Sequence, residues 1–407
     1  MADSVKCKGT IGILTGGGDV PGLNPAIRAI TVRALRDGYR VIGIRRGWAG
    51  LIEIERDKKM SENGGIVELT EDIVNRIGRS GGTFLHTSRT KPSHVPWNLI
   101  PQHLTQKYPK PENEDEKVDL TPEVLLNLEY LGIDILIPIG GDDTLSYAEH
   151  LSHEGMRVIA IPKTMDNDVP GTDYCIGFST CVTRTIEMTH ALRTSAGSHE
   201  RILVLEVFGR YAGYTALLPT MAGAANRCVI PEHKFDLDLL TELLVYDRGQ
   251  NPSNYSVVLI SEGAMMGGQA EMSFEGTEAD MFGHRKLGGI GEYTAASIKE
   301  KSAQYNNSHR IDVIFQKLGY LVRCGHPDSV DAIVPMAFGN IAMDLITQGA
   351  TGRLVCLRRG AYDHVPLNIV TSTKKVLNVS RHYDTERLRP IYHDFLGSSI
   401  FIMTSLG

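Results

Sequence analysis

Residues 133–144 read "IDILIPIGGDDT". The apolar run Ile133–Ile139 predicts a buried strand rather than a half-solvated one, which would alternate polar and apolar residues. The glycine pair ends that run, and Thr144 to Glu154 has the pattern of a helix. Strand, tight turn and helix in direct succession form the repeating unit of a parallel α/β sheet. The same rhythm extends outward in both directions. Gly12–Thr15 reads as a strand, followed by glycines 16–18 and a helix starting near Asn24, with Pro25 at its first position. That helix carries Ile27, Ile30 and Ala34 on one face and Gly38 as a stop. Val41–Ile44, Arg157–Ile161, Ile202–Val207, Ser256–Ile260 and Leu354–Leu357 are further strand candidates. The alternation implies mostly parallel sheets sandwiched by helices, and a chain of 407 residues accommodates two such sheets. Ligands in these folds gather at the carboxyl ends of strands, where each Gly- and Asp-rich motif here falls.

Composition narrows the class of protein. With 42% hydrophobic and 22% charged residues the chain reads as a soluble globular protein with ample core. A net charge of −6 supplies no general field for nucleic acid or acidic membranes, so anionic ligands need local basic groups. The six cysteines, Cys7, Cys175, Cys181, Cys228, Cys324 and Cys356, are scattered without a CxxC pair, as expected of a reduced, cytoplasmic protein. The first ten residues lack an apolar signal core, and no apolar run approaches the ~20 residues of a membrane span. Two regions interrupt the rhythm. Residues 91–121, rich in Pro, Lys and Glu, read as an exposed insertion; 263–310 read as polar loop with one helix near 292–303.

Four motifs carry candidate chemistry. In "TGGGDVPGLNPAIR" the glycines 16–18 let backbone amides approach phosphate oxygens ahead of a helix N-terminus; a plain tight turn is the alternative. In "IGGDDT" Asp142 is placed to hold Mg²⁺ beside phosphates, while Asp143 or Thr144 serves as helix cap on the simpler reading. In "PKTMDND" Asp166 and Asp168, at i and i+2 behind Lys163 and Thr164, suit phosphoryl transfer. One acid accepts a hydroxyl proton, the other orients it, and the lysine offsets phosphate charge; an ordinary Asx turn is the alternative. Arg89, Arg201, Arg210 and Arg323 each lie at an element edge near glycine or serine, where guanidinium groups suit phosphate or serve as surface ion-pair partners. Glu262, in "SEGA" after a strand, is placed to accept sugar hydroxyls or to stand as a solvated loop acid. The chain contains no GxSxG, HExxH or clustered Cys/His, so serine hydrolase and zinc readings find no support.

Taken in order, TGGGDVPGLNPAIR, GGTFLHTSR, IGGDDT, PKTMDND, GTDYCIGFST, SHERILVLEVFGRYAG, ISEG and LGYLVRCG resemble the phosphofructokinase family from near residue 10 to about 360. The resemblance implies two similar Rossmann-like three-layer α/β domains with chain crossovers. A phosphoryl-donor domain is expected at 1–177 plus 322–372, and a fructose 6-phosphate domain at 178–321 plus 373–407. Carried over position by position, it implies Asp166 as general base toward the sugar 1-hydroxyl, Asp168 as its supporting acid and Asp142 as Mg²⁺ ligand. Gly17, Arg89, Lys163 and Thr164 would hold the donor and the transferred phosphoryl group. Thr164, Met165, Phe208, Gly209, Arg210 and Glu262 would line the sugar site. Tyr320 and Arg323, with Arg201 from a neighbouring subunit, would bind the 6-phosphate, which implies a homodimer or homotetramer with shared active sites. Two positions depart from the family pattern. Phe208 replaces the usual methionine, and Tyr320 replaces histidine. A further family arginine aligns with Ile314, leaving Arg310 as the candidate substitute.

The donor is read from two residues. ATP-dependent members of the simple bacterial type carry glycine at the positions of both Asp143 and Lys163, whereas the Asp–Lys pair resembles the diphosphate-dependent branch. A carboxylate at Asp143 occupies the space of the α-phosphate of ATP and repels it, by about 4 kcal/mol at ~4 Å and an effective dielectric of ~20. Some ATP-dependent members carry lysine beside glycine, so the aspartate is the deciding residue. An ATP-dependent enzyme of the same fold and a catalytically silent regulatory subunit are the competing readings.

Overall fold

Strand and helix alternate from residue 10 onward in the computed structural model, which describes residues 7–113, 116–279 and 285–396. The readings made above of residues 1–6, of 114–115 in the first insertion, of 280–284 in the second and of the second domain beyond 396 lie outside the described residues. First come β1 (Thr10–Thr15), α1 (Leu23–Arg36), β2 (Arg40–Ile44), α2 (Gly47–Ile52), β3 (Ile66–Glu68) and α3 (Glu71–Ile77). A short ribbon of β4 (Val95–Pro96) and β5 (Lys117–Val118) precedes α4 (Thr121–Tyr130), β6 (Ile135–Gly140), α5 (Asp142–His153) and β7 (Arg157–Pro162). The middle of the chain holds α6 (Phe178–Ser198), β8 (Ile202–Val207), α7 (Tyr214–Met221), β9 (Arg227–Val229), α8 (Leu237–Gln250) and β10 (Ser256–Ser261). It continues with the antiparallel pair β11 (Phe274–Ala279) and β12 (Arg285–Leu287), then α9 (Ile290–Tyr305) and β13 (Val313–Lys317). The described residues end with α10 (Ser329–Thr347), β14 (Arg353–Arg358) and β15 (Ala361–Pro366), then two short helices, Ile369–Ser372 and Val379–His382, and the antiparallel pair Tyr383–Asp384 and Arg389–Pro390.

Two units result. The first comprises Met1–Thr164, Val169–Gly177 and Cys324–Lys374; the second comprises Met165–Asp168, Phe178–Arg323 and Lys375–Gly407. Residues 165–168, which carry both candidate acids, thus group with the second unit and not with the strand they follow.

The first unit is built on a seven-stranded sheet of order β15-β14-β7-β6-β1-β2-β3. Its five inner strands are parallel, and the two edge strands, β15 and β3, run antiparallel to their neighbours. Inner strands buried on both faces explain the unbroken apolar runs. Leu14, Leu136, Val158 and Ala160 join one core with Trp48 of α2 and Tyr147 of α5, whose rings meet edge-on at 4.8 Å. The alternate residues Ile13, Ile137, Ile139, Ile159 and Ile161 are equally buried and serve the opposite face, covered by α1 and α10. Those two helices pack closely: a Cβ at Gly339 would come within 2.9 Å of the Ala29 Cβ. Among the described residues α10 is the one helix long and apolar enough to cross a membrane, by length and composition only. Half of its apolar window is buried inside the protein.

The first insertion is corrected by the structure. Residues 91–121 are not simply exposed, because Val95, Ile100, Leu104 and Leu120 are buried in the same core as β6 and β7. Its charged residues are used as well. The buried Glu123 carboxylate of α4 pairs with Arg56 at 2.8 Å and with Lys107, and accepts a bond from the Tyr108 hydroxyl. Lys107, one of the charges that suggested solvent, therefore helps hold the segment down.

The second unit has a four-stranded parallel sheet of order β13-β8-β10-β9. Two of its strands escaped the sequence reading. β9 is only three residues long, and β13, "VIFQK", is nowhere fully buried, so neither shows a long apolar run. The acid within "ILVLEV" is explained by a cross-strand partner: buried Glu206 meets Lys317 of β13 at 3.0 Å and accepts the Gly291 amide at 2.9 Å, at the start of α9.

Candidate active site

In the first unit, β7, β6 and β1 are neighbours in the sheet, so the turns at their carboxyl ends converge. Those turns carry Lys163, the Gly140–Asp143 stretch and glycines 16–18. Lys163 is 3% exposed; its backbone amide donates to the Gly140 carbonyl at 2.9 Å and its ammonium to the Gly18 carbonyl at 2.6 Å. The lysine is thereby fastened to both neighbouring turns. Thr164, beside it, donates its backbone amide to the Ile176 carbonyl at 3.2 Å.

The first glycine of "IGGDDT" has a packing cause. Thr144 is buried against β1 and β6, and a Cβ built on Gly140 or on Gly16 would fall 2.3 Å from its side chain. Such an approach excludes any side chain at either position. The cap alternative is corrected too: Gly141 is the N-cap of α5, with no side-chain cap bond, and Asp142 and Asp143 are the first two helical residues, both exposed. Two carboxylates in a first helical turn are favoured by the helix dipole, by ~0.3–1 kcal/mol each. That offsets part of the cost of placing them side by side.

Gly17 adopts φ 78, a left-handed conformation natural to glycine, and a Cβ there would stand 3.1 Å from the Lys163 ammonium. Its amide donates to the Ser88 carbonyl at 2.8 Å and its carbonyl accepts the Thr87 hydroxyl at 2.6 Å. Exposed Arg89 follows directly, so the first unit brings Gly17, Lys163 and the Arg89 loop into one hydrogen-bonded assembly. The start of α1 differs from expectation: the helix begins at Leu23, which makes Pro25 its third residue.

In the second unit the carboxyl ends of β13, β8 and β10 are neighbours in the same way. They lead into Tyr320 and Arg323, into Phe208–Arg210, and into Glu262. The Glu262 amide donates to Val207 at 2.9 Å and the Gly263 amide to the Gly209 carbonyl at 3.1 Å, while the Thr215 hydroxyl donates to the Phe208 carbonyl. Asp166 joins this cluster: its Oδ2 accepts the Arg210 amide at 3.3 Å. Burial, then the nearby charges of Asp168 and Glu262, push its carboxyl up to about 8, against a smaller opposing pull from Arg210. Asn167, between the two acids, is buried and holds φ 55, a conformation asparagine tolerates. Met165 and Phe208 are half-buried. Arg323 is buried, with its guanidinium 5.2 Å from the ring centre of exposed Tyr320, a cation–π stack.

Arg201 is not brought into this cluster. It precedes the first residue of β8, and a six-residue strand separates it from the site end by about 20 Å. Arg310 lies at that same amino end, before β13, exposed and paired with Glu300 at 2.6 Å. Sequence reasoning missed the holding roles of Thr15, Asn24, Thr87 and Thr144. All are small polar residues with at least one partner distant in the chain; Asn24, inside the helix-start motif, and Thr144, read as a possible helix cap, carried a local signal for a different role.

Two units built on mostly parallel sheets, with glycine- and acid-rich turns at their strand ends, make this an α/β protein. The chain belongs to the phosphofructokinase family, whose profile, "Phosphofructokinase", matches residues 10–346. It is 36% identical over 371 residues to the pyrophosphate–fructose 6-phosphate 1-phosphotransferase of Dictyoglomus thermophilum, covering 91% of this chain and 94% of that one. It is 35% identical over 377 residues to the ATP-dependent 6-phosphofructokinase of Mycobacterium tuberculosis (strain ATCC 25618 / H37Rv), covering 92% and 98%. Relatives of equal similarity therefore bear names with different donors. Among solved structures, a pyrophosphate-dependent phosphofructokinase from Marinobacter aquaeolei superposes with a TM-score of 0.70 at 17% identity, over 94% of this chain and 88% of the other. Phosphofructokinase from Saccharomyces cerevisiae gives 0.67 at 22% identity, over 89% of this chain and 45% of that one.

Proposed function

We propose that this phosphofructokinase uses inorganic diphosphate as donor, transferring a phosphoryl group reversibly to the 1-hydroxyl of fructose 6-phosphate. The single observation that carries the donor assignment is the pairing of exposed Asp143, in the first turn of α5, with buried Lys163, bonded to the neighbouring glycine turn. Because Asp143 is exposed, its repulsion of a nucleotide α-phosphate lies between the ~1 kcal/mol of bulk water and the ~4 kcal/mol of a partly buried pair at ~4 Å. That range corresponds to roughly fivefold to 10³-fold discrimination.

In the reaction, the sugar O1 attacks the terminal phosphorus of diphosphate, the bridging P–O bond breaks, and inorganic phosphate departs. Asp166 takes the O1 proton; its raised basicity, caused by burial and like charges, suits that role. Asp168 sustains that basicity as a neighbouring charge. Gly17, Lys163, Thr164 and Arg89 hold the donor, with Lys163 offsetting the charge that grows on the leaving phosphate. Met165, Phe208, Gly209, Arg210 and Glu262 line the sugar, and Tyr320 and Arg323 take its 6-phosphate. Arg201, at the amino end of β8, serves the site of a second copy, so the working enzyme is a homo-oligomer.

Mg²⁺ fits the donor end. One or two carboxylates are the usual protein contribution to a Mg²⁺ that otherwise keeps waters and phosphate oxygens, and Asp142 is an exposed carboxylate at the carboxyl end of β6. When bound, the ion neutralises diphosphate charge.

The test is turnover of purified protein with each donor. Diphosphate-dependent formation of fructose 1,6-bisphosphate is expected; turnover with ATP alone would overturn the assignment. The ATP-dependent reading is favoured by relatives of equal identity bearing that name, and the same assay decides it.

A further inference from the structure

We propose that Asn24 is a positioning residue for the phosphoryl-donor site, its side-chain amide locking the 80–89 loop that presents Arg89 against the glycine turn. The inference rests on the reading of Gly17 and Arg89 as donor ligands, and adds the residue that sets their mutual geometry.

An asparagine at a helix start ordinarily caps its own helix. Asn24 does not: α1 begins at Leu23, its N-cap is Gly22 in a left-handed conformation, and no side chain caps it. Asn24 is 2% exposed and turns its amide to a different segment. Its Nδ2 donates to the Ser80 hydroxyl at 2.9 Å, with the Ser80 and Gly81 carbonyls each at 3.3 Å, and its Oδ1 accepts the Phe84 amide at 2.8 Å. Both ends of one buried amide are thus spent on a stretch five residues long.

That stretch needs an external hold. Residues 78–91 contain no helix or strand, so no ladder of backbone bonds defines their path. Beside the Arg46 amide on the Leu85 carbonyl at 2.8 Å and the Ala49 amide on the Ser88 hydroxyl at 3.4 Å, two further sets of ties come in sequence. The Thr15 hydroxyl meets the Thr83 hydroxyl at 2.9 Å and donates to the His86 carbonyl at 2.7 Å; then Gly17 exchanges bonds with Ser88 and Thr87 at 2.8 and 2.6 Å. Asn24 anchors the front of the loop, Thr15 its middle and Gly17 its end, one residue before Arg89. An exposed arginine on so fixed a backbone searches little volume before meeting a phosphate, which is preorganisation. The site also specifies asparagine: aspartate would set a carboxylate oxygen against the Ser80 and Gly81 carbonyls, and leucine would leave the Phe84 amide without its acceptor.

The experiment is a double-mutant cycle on the full chain, measuring KM for diphosphate, with ATP in parallel, and KM for fructose 6-phosphate. Asn24→Asp is expected to raise donor KM about tenfold, the loss of one or two bonds of ordinary strength, with sugar KM within about twofold. Thr87→Val, a milder change, is expected to shift donor KM the same way by roughly threefold, and keeps the test open if Asn24→Asp does not fold. In an Arg89→Ala background both changes lose their effect on donor KM. The inference fails if Asn24→Asp and Thr87→Val lower the melting temperature with donor KM unchanged, or if their effects multiply independently of Arg89→Ala. If Arg89→Ala itself leaves donor KM unchanged, the donor reading of that loop falls and takes the inference with it.

Discussion

At the carboxyl ends of β6 and β7 the buried charge is a cation, Lys163, and the acids Asp142 and Asp143 stand in solvent at a helix start. At the carboxyl ends of β8 and β10 the partly buried charge is an acid, Asp166, kept company by two more acids. The first arrangement stabilises each charge: carbonyl oxygen for the lysine, helix dipole for the aspartates. The second destabilises one carboxylate, and a destabilised carboxylate is a stronger base. On the proposed function the contrast separates holding a charged donor from extracting a proton, and it predicts that the two clusters respond differently to substitution and to pH.

The largest effect is expected at Asp166. Asp166→Asn should lower kcat by about 10³-fold, the usual loss for a general base. The same change should raise thermal stability. With its folded pKa raised from 3.8 to about 8, the native aspartate is comfortable while protonated and costs stability once ionised. The variant's advantage in melting temperature should therefore be absent below the ordinary 3.8, grow as pH rises toward about 8, and level off above it. An Asn variant that loses activity and is also less stable at pH 9 would break the proposed contrast. In the native enzyme, kcat/KM for the sugar should climb with pH up to about 8.

Lys163→Met, which keeps length and burial but removes the charge, should cost about 10²-fold in kcat/KM for the donor, the worth of a charged hydrogen bond near its upper range. Sugar KM should move little; a large change there would dissolve the distinction between clusters. Asp143→Gly should bring in weak ATP-dependent turnover, a gain of about fivefold or more, most visible at low ionic strength because the residue is exposed. Failure of that variant to gain any affinity for nucleotide would remove the charge argument. Smallest of all, Arg310→Ala should change stability by less than ~1 kcal/mol, since its pair with Glu300 is exposed on both sides. A raised sugar KM in that variant, measured in the assembled oligomer, would make Arg310 part of a shared site.

Much of this was legible in the chain itself. The strands β1, β6, β7, β8, β10 and β14 announced themselves as apolar runs because parallel strands buried on both faces cannot carry polar residues without partners. The candidate acids and glycines were legible as residue types at strand ends, whereas the packing of Thr144 that demands Gly16 and Gly140 was not. β13 was not, since its partly exposed "VIFQK" lacks a continuous apolar signal. The 91–121 insertion misled because its apolar residues join a core, and its Lys107 pairs with a buried acid, that only the fold brings near.

The sequence by itself determined the alternation of strands and helices, the family, and the identity of the groups able to take a proton or hold a phosphate. These depend on local pattern and on side-chain chemistry. Tertiary structure alone decided which of them are buried, and so what they can do. It raised Asp166 above its ordinary range, left Asp143 in solvent, fastened Lys163 to two turns and spent Asn24 on a distant loop. Charge and hydrogen-bond capacity belong to a residue, but the dielectric around it and the partner it meets belong to the fold.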